Sequence, residues 1–371
     1  MLDRYKVIAA LQKASSDLFV GFAHERDIAL TVWQKIAQEA DFAAKIAQKK
    51  QPILVPFWQG LLGQVIDLQP FLDSYAVISV DGSQIYYDKH QGSPCFLINT
   101  GWMVLRYKVS GKSIDHGSEP FLYTKFDEDS DFGSPDFVNL QRELHEFERS
   151  LELMFENKSI ATTLCLFDGS LIFFHLDAQD MELKERFMAL YTDVLEKMYQ
   201  EKLLIAGYVS LPKTKELVNL CKLELAQHDV AALEHTKIID RLNDCDIAFA
   251  YLQPYQRSTV FVSKAPVCYL YPSHLKPYFC YLHVGKEIAR LEFPAWIGKD
   301  ENLVDTICSI VIDQVIKGQG YPVSLFEAHE QAVVKADDRE FFYLMMERLS
   351  QQQFKSYVSS QKSIKKQQPI L

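Results

Sequence analysis

The stretch Ser79-Val80-Asp81-Gly82-Ser83-Gln84-Ile85 follows the apolar run Tyr75-Ala76-Val77-Ile78, and the chain repeats the device at Leu166-Phe167-Asp168-Gly169-Ser170-Leu171-Ile172. In both copies an apolar strand ends in Asp-Gly-Ser. A continuous apolar run is the profile of a strand buried on both faces. A carboxylate at its end is held rigidly, and the glycine lets backbone or ligand approach closely. A single copy reads first as turn chemistry, because Asp and Gly are common turn residues, and the second copy brings the two readings level. Two copies, each behind a buried strand, would bring two carboxylates side by side. Paired like charges are costly without a cation, and oxygen donors suit a hard one such as Mg2+ or Mn2+.

Outward from these strands, the pattern is α/β. Upstream, Ile8, Leu11 and Leu18 and then Ile28, Val32 and Ile36 recur at helical spacing, so residues 1–50 read as an N-terminal helical extension. Residues 51–350 read as the main domain and 351–371 as a polar basic tail. Within the domain, the period-two run over 75–109 reads as three strands joined by short turns. After the acidic stretch 127–136, Phe137, Leu140, Leu144, Phe147, Leu151 and Met154 follow helical spacing. A helix over about 182–200 and a strand over 203–211 continue the alternation. Residues 221–275 read as an insertion or lid. Two strands follow within 279–293, then a helix near 301–317 and a long helix starting near Ser324.

The chain of 371 residues is 48% hydrophobic and 24% charged, enough to bury a large core in one substantial domain. Its seven cysteines are scattered, none in CxxC spacing, and read as reduced core thiols of a cytoplasmic protein. The N-terminus has charges every few residues where a secretory signal would be apolar, and no run approaches the roughly 18 apolar residues of a membrane helix. The net charge of −10 counts against nucleic-acid binding, which relies on Lys and Arg. An acidic nuclease is workable only if metal neutralises its carboxylates and basic residues gather locally. Local candidates are Lys45, Lys49 and Lys50, Lys213 and Lys215, and the tail from Lys355 to Lys366. Ser110-Gly111-Lys112-Ser113 ends like a P-loop, but Arg106 stands where that motif needs glycine, which excludes nucleotide hydrolysis.

Four short motifs in order, VDGS at 80–83, FDGSLI at 167–172, GYVSLPKTKEL at 207–217 and YPVSLFEAHEQAVV at 321–334, resemble the NurA nucleases from Val77 to about Ser350. The resemblance implies an RNase H-like mixed central sheet flanked by helices. It also implies a deoxyribonuclease, with 5′–3′ exonuclease and single-strand endonuclease action in DNA end processing and repair. Partners would be DNA, a second copy of the chain, and a HerA-like hexameric ATPase. By the same resemblance, Asp81 and Asp168 match metal-binding aspartates for two Mn2+ or Mg2+ ions, and His329 matches a C-terminal histidine that binds metal or protonates the leaving group.

The family also places an acidic residue on the helix before the second Asp-Gly-Ser, where this chain offers Glu143, Glu146, Glu148 and Glu152. If the apolar face centres on Leu144, Phe147 and Leu151, Glu146 points away from the core while Glu143 and Glu148 flank it. That favours Glu148, with Glu143 kept. Ser324-Leu325-Phe326-Glu327 has capping-box form, which would start a helix with His329 on the same face as Leu325, Ala332 and Ala336. Tyr208 and Lys213 stand where the family has a site-proximal tyrosine and basic residues for DNA, although Val209-Ser210 departs from the family by lacking an immediate basic residue. The rival functions are an inactive RNase H-like adaptor of a translocase ring and a metal-dependent phosphatase.

Overall fold

The structure is a computed structural model and describes residues 2–18, 22–48, 51–87, 95–124, 134–227, 229 and 231–352. Helices α1 (Arg4–Leu18), α2 (Ala23–Ala37) and α3 (Phe42–Ala47) lead into short strands β1 (Phe57–Trp58) and β2 (Val65–Asp67). A long antiparallel meander follows, β3 (Tyr75–Ile85), β4 (Cys95–Tyr107) and β5 (Ile114–Thr124). Then α4 (Pro135–Glu156) crosses to β6 (Thr163–Asp168), and α5 (Met181–Gln200) crosses to β7 (Leu204–Ser210), both strands running parallel to β3. Next come α6 (Glu216–Leu225), α7 (Asp244–Tyr251), β8 (Gln256–Ser258) and β9 (Phe261–Val262), then the hairpin β10 (Pro277–His283) and β11 (Ile288–Pro294). Helices α8 (Ala295–Gly298), α9 (Glu301–Lys317), α10 (Val323–Ala332) and α11 (Ala336–Gln352) complete the described chain. No described helix is long and apolar enough to cross a membrane.

The strands form one open mixed sheet in the order β1-β9-β10-β11-β7-β6-β3-β4-β5, with β2 paired to β8 and β8 to β10. Within it, β5-β4-β3-β6-β7 is the RNase H-like arrangement of an antiparallel meander continued by two parallel strands. Side chains alternate across β3 as the pleat requires. Ser79, Asp81 and Ser83 meet α10, whereas Gly82 and Gln84 meet α4. The site therefore forms where one strand is sandwiched between two helices.

Four expectations need correction. Residues 75–109 hold two long strands, not three; the third strand is β5, an edge strand whose mostly exposed Ile114–Thr124 has no apolar run to announce it. Residues 221–275 are not a lid, because β8 and β9 pair into the sheet and α6 and α7 pack on it. The helix after Pro322 stops at Ala332, and Ser324 does not cap it: Pro322 is the N-cap, and the Ser324 hydroxyl bonds Ser79 Oγ at 2.9 Å. Ala336 consequently starts the next helix instead of continuing the face of His329.

Within the N-terminal helical extension, α2 and α3 pack on the main domain of their own chain. Trp33, Ile36, Phe42 and Ile46 share a buried cluster with Leu217, Leu220, Ile247 and Phe261. By contrast, α1 has no buried side chain among the described residues, and its Tyr5, Ile8 and Leu11 are exposed. Phe22 is partly covered by Arg241, while the side chain of Leu18 and residues Phe19 and Val20 lie outside the described residues, as do Lys49, Lys50 and the basic tail. The seven cysteines, all among the described residues, form no disulfide, and six of them are buried.

Candidate active site

Asp81 and Asp168 come together by strand register. The parallel pairing of β3 with β6 runs from Ala76↔Thr163 to Ile78↔Cys165, and the two aspartates stand equally far beyond the last pair. Beyond that pair a groove of about 420 Å³ opens at the carboxyl end of β6, the usual ligand position in α/β sheets. Both aspartates, His329, Arg142 and Arg339 line it. The second Asp-Gly-Ser does end its strand, but the first does not: β3 continues to Ile85, with Asp81 opposite Gly101.

Each residue of the first triplet has its own task. Asp81 Oδ2 lies 2.7 Å from His329 Nδ1. Gly82 leaves room on the opposite face, where a Cβ would come within 2.6 Å of Arg142 Cγ and 2.8 Å of Glu146 Oε1. Ser83 accepts from Val334 N at 3.1 Å and donates to the Ala332 carbonyl, which also takes Asn99 Nδ2 at 2.8 Å. These bonds fix the end of α10 and hence its histidine. Gly101 makes the docking possible, since a Cβ there would sit 2.3 Å from Ala332 N.

The second triplet is braced from β11 and from the loop before α10. Asp168 Oδ1 accepts from the Tyr321 hydroxyl at 3.0 Å. Gly169 has φ +126°, a region open mainly to glycine, and its N–H donates to the Tyr208 carbonyl at 3.0 Å. Ser170 Oγ (2.6 Å) and Ile172 N (3.1 Å) both donate to Glu292 Oε2, whose other oxygen accepts from Arg290 Nε at 2.7 Å.

The helix carboxylate beside the first triplet is Glu146, packed over Gly82, and not Glu148. Burial above all, with Asp81, Glu143 and Asp168 adding to it against the pull of Arg142, pushes Glu146 up to about 8. Glu148 is exposed and lines a different pocket with Thr100, Phe121 and His145. Glu143 pairs with His175 Nε2 at 2.9 Å in a pocket that adjoins the groove through Arg142. The expectation failed because α4 is buried on two sides. Phe147 packs on Phe167 and Tyr191, while Val138, Arg142, Glu146, Ser150 and Leu153 form a second stripe at helical spacing. Its charged members look like a solvated face when core is equated with apolar.

Tyr208 is fully buried, donates to Glu287 Oε1 at 3.1 Å, and meets the Tyr321 ring edge-on at 5.4 Å, so no ring face is free to stack on a base. Lys213 is exposed on the loop before α6 and does not line the groove, and Lys215 bonds the Asp240 carbonyl. The groove's cations are instead Arg142 and Arg339, which the sequence reading missed along with Tyr321. The spacing of Arg142 and Glu146, one helical turn apart beside a glycine-bearing strand, was the available signal.

Among the described residues, no three of His, Cys, Asp and Glu converge tightly enough to hold an ion as they stand. In kind, however, the donors fit a divalent metal. Burial and the charge of Asp81 raise Asp168 against the opposing pull of Tyr321 and His329, and both aspartates raise Glu146. Carboxylates gathered near one another are completed by a cation, and oxygen donors beside an imidazole suit Mn2+ or Mg2+.

The NurA domain family model matches residues 75–334. No curated protein matches the sequence. Among solved structures, the NurA nuclease from Sulfolobus solfataricus superposes with a TM-score of 0.55 at 14% identity, covering 95% of this chain and 98% of that one. A second NurA crystal structure gives 0.42 at 11% identity over 75% of this chain and 89% of the other. NurA with manganese gives 0.40 at 12% identity over 83% and 96%.

Proposed function

Because the chain belongs to the NurA nuclease family, we propose that it is a metal-dependent deoxyribonuclease whose site is the groove between β3 and β6. The observation that carries this reading is the register that brings Asp81 and Asp168 to that groove, with His329 bonded to Asp81 and Glu146 packed over the neighbouring Gly82. Asp81, Asp168 and Glu146 would hold the ions, and His329 would join them or protonate the leaving oxygen. Mn2+ or Mg2+, two per site as the family resemblance implies, would supply a water of lowered pKa and stabilise charge on the leaving 3′ oxygen. The chain's own residues do the rest. Tyr321 keeps one oxygen of Asp168 occupied and so orients the other. Arg142 and Arg339 give an acidic protein a local place for phosphodiester charge.

The family resemblance also supplies the finer reading: 5′–3′ exonuclease and single-strand endonuclease action in end processing and repair, coupled to a HerA-like hexameric ATPase. A homodimer belongs to it as well. The exposed apolar residues of α1 (Tyr5, Ile8, Leu11) and of α11 (Phe341, Leu344, Leu349) support an assembly contact. The test of the activity is cleavage of a single-stranded oligonucleotide with Mn2+ beside hydrolysis of a small phosphomonoester. Cleavage of the first alone is expected. Turnover of only the phosphomonoester, or of neither, would favour the phosphatase or the inactive adaptor.

A further inference from the structure

Resting on that functional reading, we propose that Arg142 is a phosphate-operated latch on the metal site: it holds Glu146 until a DNA phosphate draws the guanidinium away, so that strand binding and divalent-metal binding strengthen each other. Arg142 Nη1 is ion-paired with Glu146 Oε1 and lies 3.5 Å from the Gly82 carbonyl, with the pair packed over the glycine next to Asp81. It is therefore bound to a carboxylate that packs over Gly82, next to Asp81, while itself lining the open groove.

These positions set two bonds in competition. A guanidinium forks onto a carboxylate or onto a phosphate with comparable geometry, and both are charge-assisted. While Arg142 neutralises Glu146, that carboxylate is the poorer metal donor. Once a phosphate takes the arginine, Glu146 is left without its partner beside Asp81 and Asp168, and a metal cation can take the place of the guanidinium. By linkage, the factor by which DNA tightens metal must equal the factor by which metal tightens DNA. Room for the pair exists because Gly82 carries no side chain, and the Arg142 stem and the Glu146 carboxylate lie against it. Arg339 provides an internal comparison. It lines the same groove, but its recorded bond is to the Gln84 carbonyl at 3.5 Å and not to a carboxylate of the site.

The experiment counts bound Mn2+ by the electron paramagnetic resonance of the free ion, for the full chain with and without a phosphorothioate single strand that resists cleavage. Binding by the oligonucleotide alone is subtracted. In the native protein, the strand should tighten Mn2+ about tenfold, within the range usual for coupled sites. Arg142→Met should bind Mn2+ about tenfold more tightly than native without any strand, and its gain on adding the strand should shrink correspondingly. Arg339→Met removes the same charge from the same groove and should weaken the strand, but with the strand saturating it should keep the native gain, and its strand-free Mn2+ affinity should rise less than that of Arg142→Met. Equal shifts in the two variants would reduce the effect to groove charge and overturn the latch, as would native protein whose Mn2+ affinity ignores the strand. If Arg142→Met does not fold, the native comparison still decides, and Arg142→Lys, which keeps the ion pair, should retain the native pattern. Mn2+ bound without coupling would sink the latch and leave the nuclease reading standing. No Mn2+ bound under either condition would remove the metal site and the latch together.

Discussion

Gly101→Ala puts the docking of α10 to a direct test. The added Cβ would meet only backbone: Ala332 N at 2.3 Å, Gln331 C at 2.6 Å and Ala332 Cα at 2.7 Å. Ordinary contact begins near 3.4 Å, so the end of α10 must retreat by about 1 Å from β4. Forced overpacking of this kind costs about 1–3 kcal/mol. The retreat also stretches the bonds from Ser83 and Asn99 to the Ala332 carbonyl, each worth about 1 kcal/mol. A total near 3 kcal/mol should lower the melting temperature by roughly 5 °C or more in a thermal scan. Because His329 rides on the same helix and contacts Asp81, a displacement near 1 Å should also slow oligonucleotide cleavage about 100-fold. A Gly101→Ala protein that melts and cleaves like the native one would refute the claim that this close approach positions the histidine.

Other outcomes follow from the same geometry. Asp81→Asn and Asp168→Asn should each reduce cleavage at least about 100-fold while holding or raising the metal-free melting temperature, because each relieves repulsion among the carboxylates; near-native rates in either would contradict the assignment. Glu146→Gln should be as damaging, whereas Glu148→Gln, exposed and lining another pocket, should stay within about twofold of native in the same assay. The Glu146 carboxyl, pushed up to about 8, sets a pH signature. Its folded value lies above its unfolded one, so its contribution to metal-free stability is present below about 4.5 and is lost as pH rises toward 8. Metal must displace that proton, so Mn2+ affinity should climb from pH 6 to 8 and then level, with proton release detectable in weak buffer. Affinity that is flat over this range, or a slope unchanged in Glu146→Gln, would contradict it.

The residues that sequence reading could find are those whose role is written in local pattern. Asp168 ends a wholly apolar strand, and the repeat of its motif at Asp81 marked the second carboxylate. What could not be read is what depends on contacts between distant segments. The Asp-Gly-Ser at 81–83 looks like a strand end but lies within β3, because pairing with β4 carries the strand onward past the glycine. Glu146 and Arg142 look solvated because they are polar, yet they lie over Gly82. Tyr208 looks available for stacking because it follows a strand near basic residues, whereas the crossing of Tyr321 and Glu287 closes it in. The polar edge strand β5 was hidden for the converse reason: it buries too little to leave an apolar signature.

The central claim, that β3, β6 and α4 together present a divalent-metal site, is met most directly by anomalous diffraction from crystals soaked in Mn2+. The account predicts a peak in the groove in contact with Asp81 and Asp168, with Glu146 turned from Arg142 to join it. A groove without metal at a Mn2+ concentration that supports cleavage, or manganese bound only elsewhere on the chain, would contradict it.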